Sequence, residues 1–222
     1  MAYKFTVTDI FTRVQRTFGD ESAIQVTEAD IIRWINDAQR EAAMQHEGLL
    51  LKRDTIDSVT GTQEYALPED LFTLQSVYYS DGGNYYALRY LEPAKLNDYA
   101  SGWNNTSQDN RGYPIVYSYH RQGFISLFPV PDESVTGGIR VEYARYPVDL
   151  VDNTDEIDLP VYYHGYVEHF CMMKAYEMDE DWEAVGQKAS IVQSTLDFNN
   201  NREAWFGRET YPVVSSEFED FI

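Results

Sequence analysis

The chain has 222 residues, 43% of them hydrophobic, enough to bury a self-sufficient core without disulfides or a structural metal. Its 37 Asp and Glu against 17 Lys and Arg give a formal charge of -20, which leaves no electrostatic footing for gripping phosphate backbones. Cys171 is the single cysteine and excludes an intrachain disulfide; with no apolar leader or membrane-length apolar run in view, the protein is expected to stay in the compartment where it is made.

In chain order, Val7, Phe11, Val14 and Phe18 recur at helical spacing, with Thr6 or Thr8 as cap and Gly19 as stop. Thr27 opens a second helix in which Asp30 stands at the capping-box position, and Ile31, Ile35, Ala38 and Ala42 form its apolar stripe with Trp34 on the edge. From Leu49 the period moves toward two. A hairpin is expected between 52–58 and 63–67, and a second between 74–79 and 85–91 around Asp81-Gly82-Gly83-Asn84. Residues 93–99 read as a short helix and 101–112 as an exposed loop; strands resume at 115–120, 124–128 and 138–146.

Asp158-Leu159-Pro160 opens a third long helix, with Tyr163, Tyr166, Val167, Phe170 and Lys174 along one side. The last helix has the cleanest stripe, Trp182, Val185, Ala189, Val192 and Leu196. Helices before and after the strands predict an α+β chain: a four-helix bundle with an inserted antiparallel β-rich region and an extended C-terminal tail. The corresponding divisions are 1–48 with 158–202 for the bundle, 49–157 for the β-rich region, and 203–222 for the arm.

Nothing along the chain gathers into a catalytic site. No nucleophile elbow, P-loop, dinucleotide fingerprint or paired cysteines occur, so neither enzyme activity nor a cofactor is expected. His164 and His169 flank Glu168 at a spacing of five, wrong for zinc on one helix face, and His164 with Glu168 reads as a surface pair. Asp149, Asp152, Asp155, Glu156 and Asp158 lack the glycine and terminal glutamate of a calcium loop, which leaves a charged linker and no metal site. Cys171, in a helical stretch, reads as a small buried hydrophobe. Tyr78, Tyr79, Tyr85, Tyr86, Tyr90, Tyr113, Tyr117 and Tyr119 fit a packed sheet face, or else an interface or sugar-stacking surface.

Charge is uneven: residues 147–222 hold 17 acidic and 4 basic side chains, net -13 of the -20. The tail combines that acidity with Trp205, Phe206, Tyr211, Phe218 and Phe221, a composition suited to folding onto a partner with the aromatics as anchors.

Taken in order, Thr27-Glu28-Ala29-Asp30-Ile31-Ile32-Arg33-Trp34-Ile35-Asn36-Asp37-Ala38, Tyr65-Ala66-Leu67-Pro68-Glu69-Asp70, Gly112-Tyr113-Pro114, Leu127-Phe128-Pro129-Val130-Pro131 and Leu159-Pro160 resemble the head-to-tail adaptor (connector) proteins of tailed bacteriophages, the tail-tubular A type included. The resemblance spans most of the chain. It implies a virion protein of the neck, assembled in the host cytoplasm, that forms a dodecameric ring beneath the portal protein. It further implies a helical bundle facing the portal, a β-region facing a tail or nozzle protein, and a C-terminal extension reaching the portal or neighbouring subunits. DNA would pass without specific binding and no membrane would be involved. Asp155, Glu156, Asp179, Glu180 and Asp181 are the candidates for an acidic channel lining, since a basic wall would trap the genome. The alternative reading is a glycan-binding virion or surface module built on the tyrosine-rich β-face.

Overall fold

Helix formation begins where the capping residues place it. Thr6 offers its backbone N–H to the Asp9 carboxylate at 2.9 Å and opens α1 (Val7–Phe18), which Gly19 ends with φ +85°. Thr27 and Asp30 cap one another at the start of α2 (Glu28–Gln45), as the spacing predicts. The structure, a computed structural model, describes residues 5–20, 25–46, 48–100, 102–103, 105–120 and 123–210. The chain divides into two compact units, residues 1–49 with 147–222 and residues 50–146.

The first unit holds α1, α2, α4 (His164–Met178, entered through a short 3-10 turn) and α5 (Trp182–Thr210). Its centre is α4, which packs on α1, α2 and α5. Tyr166, Val167, Phe170, Cys171, Met172 and Ala175 of α4 are all buried, so the helix is covered on more than one side. Opposing it are Val7, Ile10 and Val14 from α1, Ile31, Trp34, Ile35, Ala38 and Ala42 from α2, and Val192 and Leu196 from α5. Two stripes differ from the sequence expectation. In α1, Ile10 rather than Phe11 completes the buried face, and Trp34 lies in the core with 4% exposure.

In the second unit β1 (Leu51–Ser58), β10 (Val135–Arg145), β3 (Leu71–Ser80) and β4 (Tyr85–Ala87) form one sheet in that spatial order. A second sheet has the order β2 (Glu64–Ala66), β8 (Phe124–Phe128), β7 (Val116–His120), β5 (Arg89–Tyr90), and β6 (Arg111–Gly112) pairs with β9 (Val130–Pro131). Tyr79, Val77, Ile139, Val141 and Tyr143 from one sheet and Tyr65, Tyr117, Ile125 and Leu127 from the other bury a shared core. Alternation along β7 sends Val116 to the opposite face, where it packs with Leu91, Leu96 and Trp103 around α3 (Pro93–Tyr99).

The hairpin expected around residues 81–84 forms, with Tyr79 opposite Tyr86. The one expected between 52–58 and 63–67 does not: β1 pairs with β10 and β2 with β8. The intervening turn is held by the Tyr65 hydroxyl, which accepts from Val59 N–H at 3.1 Å and lies 2.9 Å from the Thr62 carbonyl. The chain thereby passes from one sheet to the other.

The α+β class stands, but a four-helix bundle with an inserted antiparallel region does not. There are five α-helices among the described residues, and α3 belongs with the strands. In the helical unit α4 is a hub with α5 laid on it, rather than one of four equal helices around a shared axis. The strands form three sheets, and the β5–β7 and β6–β9 pairings are parallel. The extended tail is corrected as well: α5 continues to Thr210, so residues 203–210 have helical backbone. The Asn199-Asn200-Asn201 run does not stop it. Buried Asn199 gives its amide to the Tyr162 carbonyl at 3.1 Å and Asn200 accepts from the Tyr163 hydroxyl at 2.8 Å, so the asparagines fasten α5 to the entry of α4.

Candidate assembly surfaces

The acidic segment between the units' strands and α4 is knitted to α1 and α2. Asn36 makes a reciprocal pair with the backbone of Leu150, its amide donating to the carbonyl at 3.0 Å and its oxygen accepting from the N–H at 2.9 Å. Buried Gln39 accepts from Asp158 N–H at 2.7 Å, and Arg40 holds Asp149 through both carboxylate oxygens at 2.7 Å. Thr6 and Glu156 form a β-bridge, and Thr8 N–H donates to the Asn153 carbonyl at 3.0 Å. Sequence periodicity puts Asn36 and Arg40 outside the apolar stripe of α2; their partners lie more than a hundred residues away, where no local signal reaches.

Within the segment Asp155 accepts from Asp152 N–H at 2.9 Å and Val151 N–H at 2.8 Å, which holds its carboxyl below the usual carboxylate range. Asp158 accepts from Val148 N–H at 2.8 Å. These carboxylates therefore fold the segment as well as charge it. No group of three or more His, Cys, Asp or Glu among the described residues is placed to hold a metal ion.

The expected His164–Glu168 surface pair does not form. Glu168 pairs with Arg13 at 2.9 Å, while the His164 ring stacks on Phe5 with centroids 4.5 Å apart. Burial lowers the His164 pKa; the hydrogen bond with the Leu159 carbonyl opposes it in part, and Arg13 adds a smaller lowering effect. Cys171 is buried, and that burial pushes its thiol well above the ordinary range, so it packs as a small hydrophobe. One pairing the sequence reading missed is His120 Nε2 with Ser126 Oγ, 2.8 Å apart across the β7–β8 hairpin. Ser126 has no exposure, so the hydroxyl meets no solvent and acts as a cross-strand tie.

The strand tyrosines divide. Tyr79 and Tyr117 are buried, while Tyr86, Tyr90 and Tyr113 reach the surface. Tyr113 stands at 87° to Tyr79 and 80° to Tyr86, with its hydroxyl donating to the Tyr79 carbonyl at 3.1 Å. Tyr85 donates to the Gly137 carbonyl at 2.7 Å under the Arg140 guanidinium, which lies 3.5 Å from the ring centre. The Tyr79, Tyr113 and Tyr86 rings meet edge to face and form no single continuous flat platform.

The tip between α4 and α5 is Asp179-Glu180-Asp181. Glu180 takes φ +59°, the left-handed conformation that favours glycine, and Asp181 caps α5 by accepting from Ala184 N–H at 3.1 Å. Trp182 does not join the buried stripe of α5: it is 69% exposed, because α4 ends before reaching it. Of the expected tail anchors, Trp205 and Phe206 fall on the helical backbone of α5, and Tyr211, Phe218 and Phe221 lie outside the described residues.

With the capped α2, the clamp onto residues 147–158 and the two-sheet unit in place, the decisive comparison is at the family level. The sequence profile of the SU10 adaptor protein family matches residues 5–208, nearly the whole chain. The chain belongs to that family. It is a phage head–tail adaptor, a structural component of the virion at the head–tail region that contacts other head and tail proteins. No curated protein matches it.

The stretches that carry the adaptor resemblance do work in the fold. Thr27 to Ala38 supply the cap, the buried face and the Asn36 clamp. Tyr65 to Asp70 supply the hydroxyl that holds the β1–β2 turn and a carboxylate shared by Lys52 at 3.0 Å and Tyr143 at 2.8 Å. No helix among the described residues is long and apolar enough to cross a membrane.

Proposed function

We propose that this adaptor assembles as a dodecameric ring between the portal protein and a tail or nozzle protein, with no covalent chemistry of its own, and that its lumen is part of the DNA conduit. The adaptor family match over residues 5–208 carries the reading. Charge supports it: residues 1–49 with 147–222 hold 25 acidic and 9 basic side chains, net -16, against -4 for residues 50–146 with 12 and 8. A wall of that sign repels passing DNA and avoids the counterion release that makes basic surfaces hold it. Asp155 and Glu156, in the segment knitted to α1 and α2, are the proposed lining groups; Asp179, Glu180 and Asp181 add to the same field.

The helical unit faces the portal in this reading, the β-rich unit faces the tail, and the C-terminal arm from residue 203 anchors the ring through Trp205, Phe206, Tyr211, Phe218 and Phe221. Assembly takes place in the host cytoplasm, and the ring occupies the virion neck.

Electron microscopy of the protein mixed with its cognate portal tests this, using the full chain and truncations lacking residues 211–222 or 203–222. A ring stacked on the portal with the full chain, lost on truncation, is expected. Absence of any association with the full chain would overturn the reading; unchanged docking of both truncations would overturn the anchor alone.

A further inference from the structure

Among its described residues the helical unit keeps two large aromatic side chains in water, Phe198 along α5 and Trp182 at the tip of the α4–α5 hairpin, and the second stands on a rigid mount. Met178 to Glu183 are six consecutive exposed residues. Met178 is 50% and Trp182 69% exposed. The turn that presents them is not slack: Asp179 N–H donates to Ala175 at 3.2 Å, Glu180 to Glu177 at 3.3 Å, Asp181 to Tyr176 at 3.1 Å and Trp182 to Glu180 at 3.1 Å. With each of these backbone donors satisfied, the main chain of Trp182 is fixed at the end of the α4–α5 hairpin before any partner arrives, so little backbone ordering cost remains on binding. Met178 also lines a cleft of about 170 Å³ with Phe18, Gln25, Val26 and Asp179, so the tip combines a knob with an adjoining apolar recess.

The charge around this apolar pair selects its occupant. Asp179, Glu180, Asp181 and Glu183 surround Trp182 in sequence, within a unit of net charge -16. The helical unit of a second copy, net -16, would bring like charge against the tip, which disfavours pairing of this tip with that unit. A foreign surface with an apolar socket rimmed by Lys and Arg matches it in both respects.

We infer that the Met178–Glu183 tip is a second docking element for the portal, with Trp182 seated in an apolar socket of the portal whose rim is basic. The inference rests on the reading that the helical unit faces the portal, and it adds a contact independent of the C-terminal arm. Trp182 is the anchor. The four carboxylates steer the approach and set the register.

The test measures binding of the full-length protein to purified, immobilised portal for the wild type, Trp182→Ala, and the double variant Asp179→Lys with Glu183→Lys, over a range of salt concentrations. Trp182→Ala is expected to weaken binding about 30-fold, the effect of losing an interface anchor, with an unchanged melting profile because the side chain is exposed. The lysine variant should also bind more weakly at low salt and should lose the salt dependence of the wild type. Its two sites are exposed and outside the core, so it serves as a second probe should Trp182→Ala disturb α5. Wild-type affinity for the portal in both variants would overturn the inference and leave the adaptor reading standing. A wild type that fails to bind the portal at all would overturn both.

Discussion

Replacing Asn36 with Ala isolates the clamp that ties the returning acidic segment to α2. The wild-type side chain makes two hydrogen bonds to one residue, 3.0 Å to the Leu150 carbonyl and 2.9 Å from its N–H. Leu150 is 6% exposed, so water does not freely replace either partner. Two bonds at about 1 kcal/mol each, with part of the penalty for leaving both backbone groups unsatisfied, give a loss of about 2–3 kcal/mol. For a chain of this size that lowers Tm by about 4–12 °C. Urea titration followed by far-UV circular dichroism, with an unchanged m value, would measure it. Asn36→Asp keeps the acceptor for Leu150 N–H but loses the donor and sets a carboxylate against the carbonyl, so it should be no milder than Ala. Asp37→Ala, one residue away with its side chain 49% exposed, removes only a surface ion pair to Arg40 at 3.7 Å, so it should cost no more than about 1 kcal/mol and controls for helix effects. A loss below about 0.5 kcal/mol for Asn36→Ala would refute the claim that this pair fastens the segment.

Three further outcomes are expected. Glu180→Gly should stabilise the protein by about 0.5–1 kcal/mol, because φ +59° is strained for Glu and open to Gly, part of the gain being returned through the more flexible unfolded chain; a melting temperature equal to or below wild type would contradict it. Leu196→Ala, at 1% exposure between α5 and α4, should cost about 2–4 kcal/mol and raise protease susceptibility in α5 first, which limited proteolysis would show. Burial resists ionisation of Asp70, but the hydrogen bonds from Lys52 and Tyr143 outweigh it and hold its carboxyl below the ordinary value. A folded pKa below the unfolded one contributes stability above about pH 4 that is lost as pH falls through the folded value. Asp70→Asn should therefore lower stability at neutral pH and flatten its decline below about pH 4, and an unaltered acid-unfolding profile would count against that network.

Local signals reached as far as local physics extends. The caps at Thr6 and Thr27, the stop at Gly19, the Asp81–Asn84 hairpin and the short helix at Pro93 were legible because each depends on residues within a few positions. So was the adaptor family, carried by short stretches that turn out to hold caps, turns and clamps. The overall charge imbalance likewise needs only the composition.

Partner choice is a different matter, since a strand's edge carries the same backbone donors and acceptors whichever neighbour it meets. That β1 joins β10 across some eighty residues, and β2 crosses to the other sheet, was decided by the shared core of Tyr79, Val141, Ile125 and Leu127. A single stripe likewise cannot reveal a helix covered on several sides, so the hub role of α4 came only from its neighbours. Trp182 shows the same limit from the surface: periodicity placed it in the α5 stripe, but burial requires an opposing side chain, and α4 stops at Met178. The sequence settled which residues could form an apolar face; the lengths and ends of the neighbouring elements settled which of them are left in water.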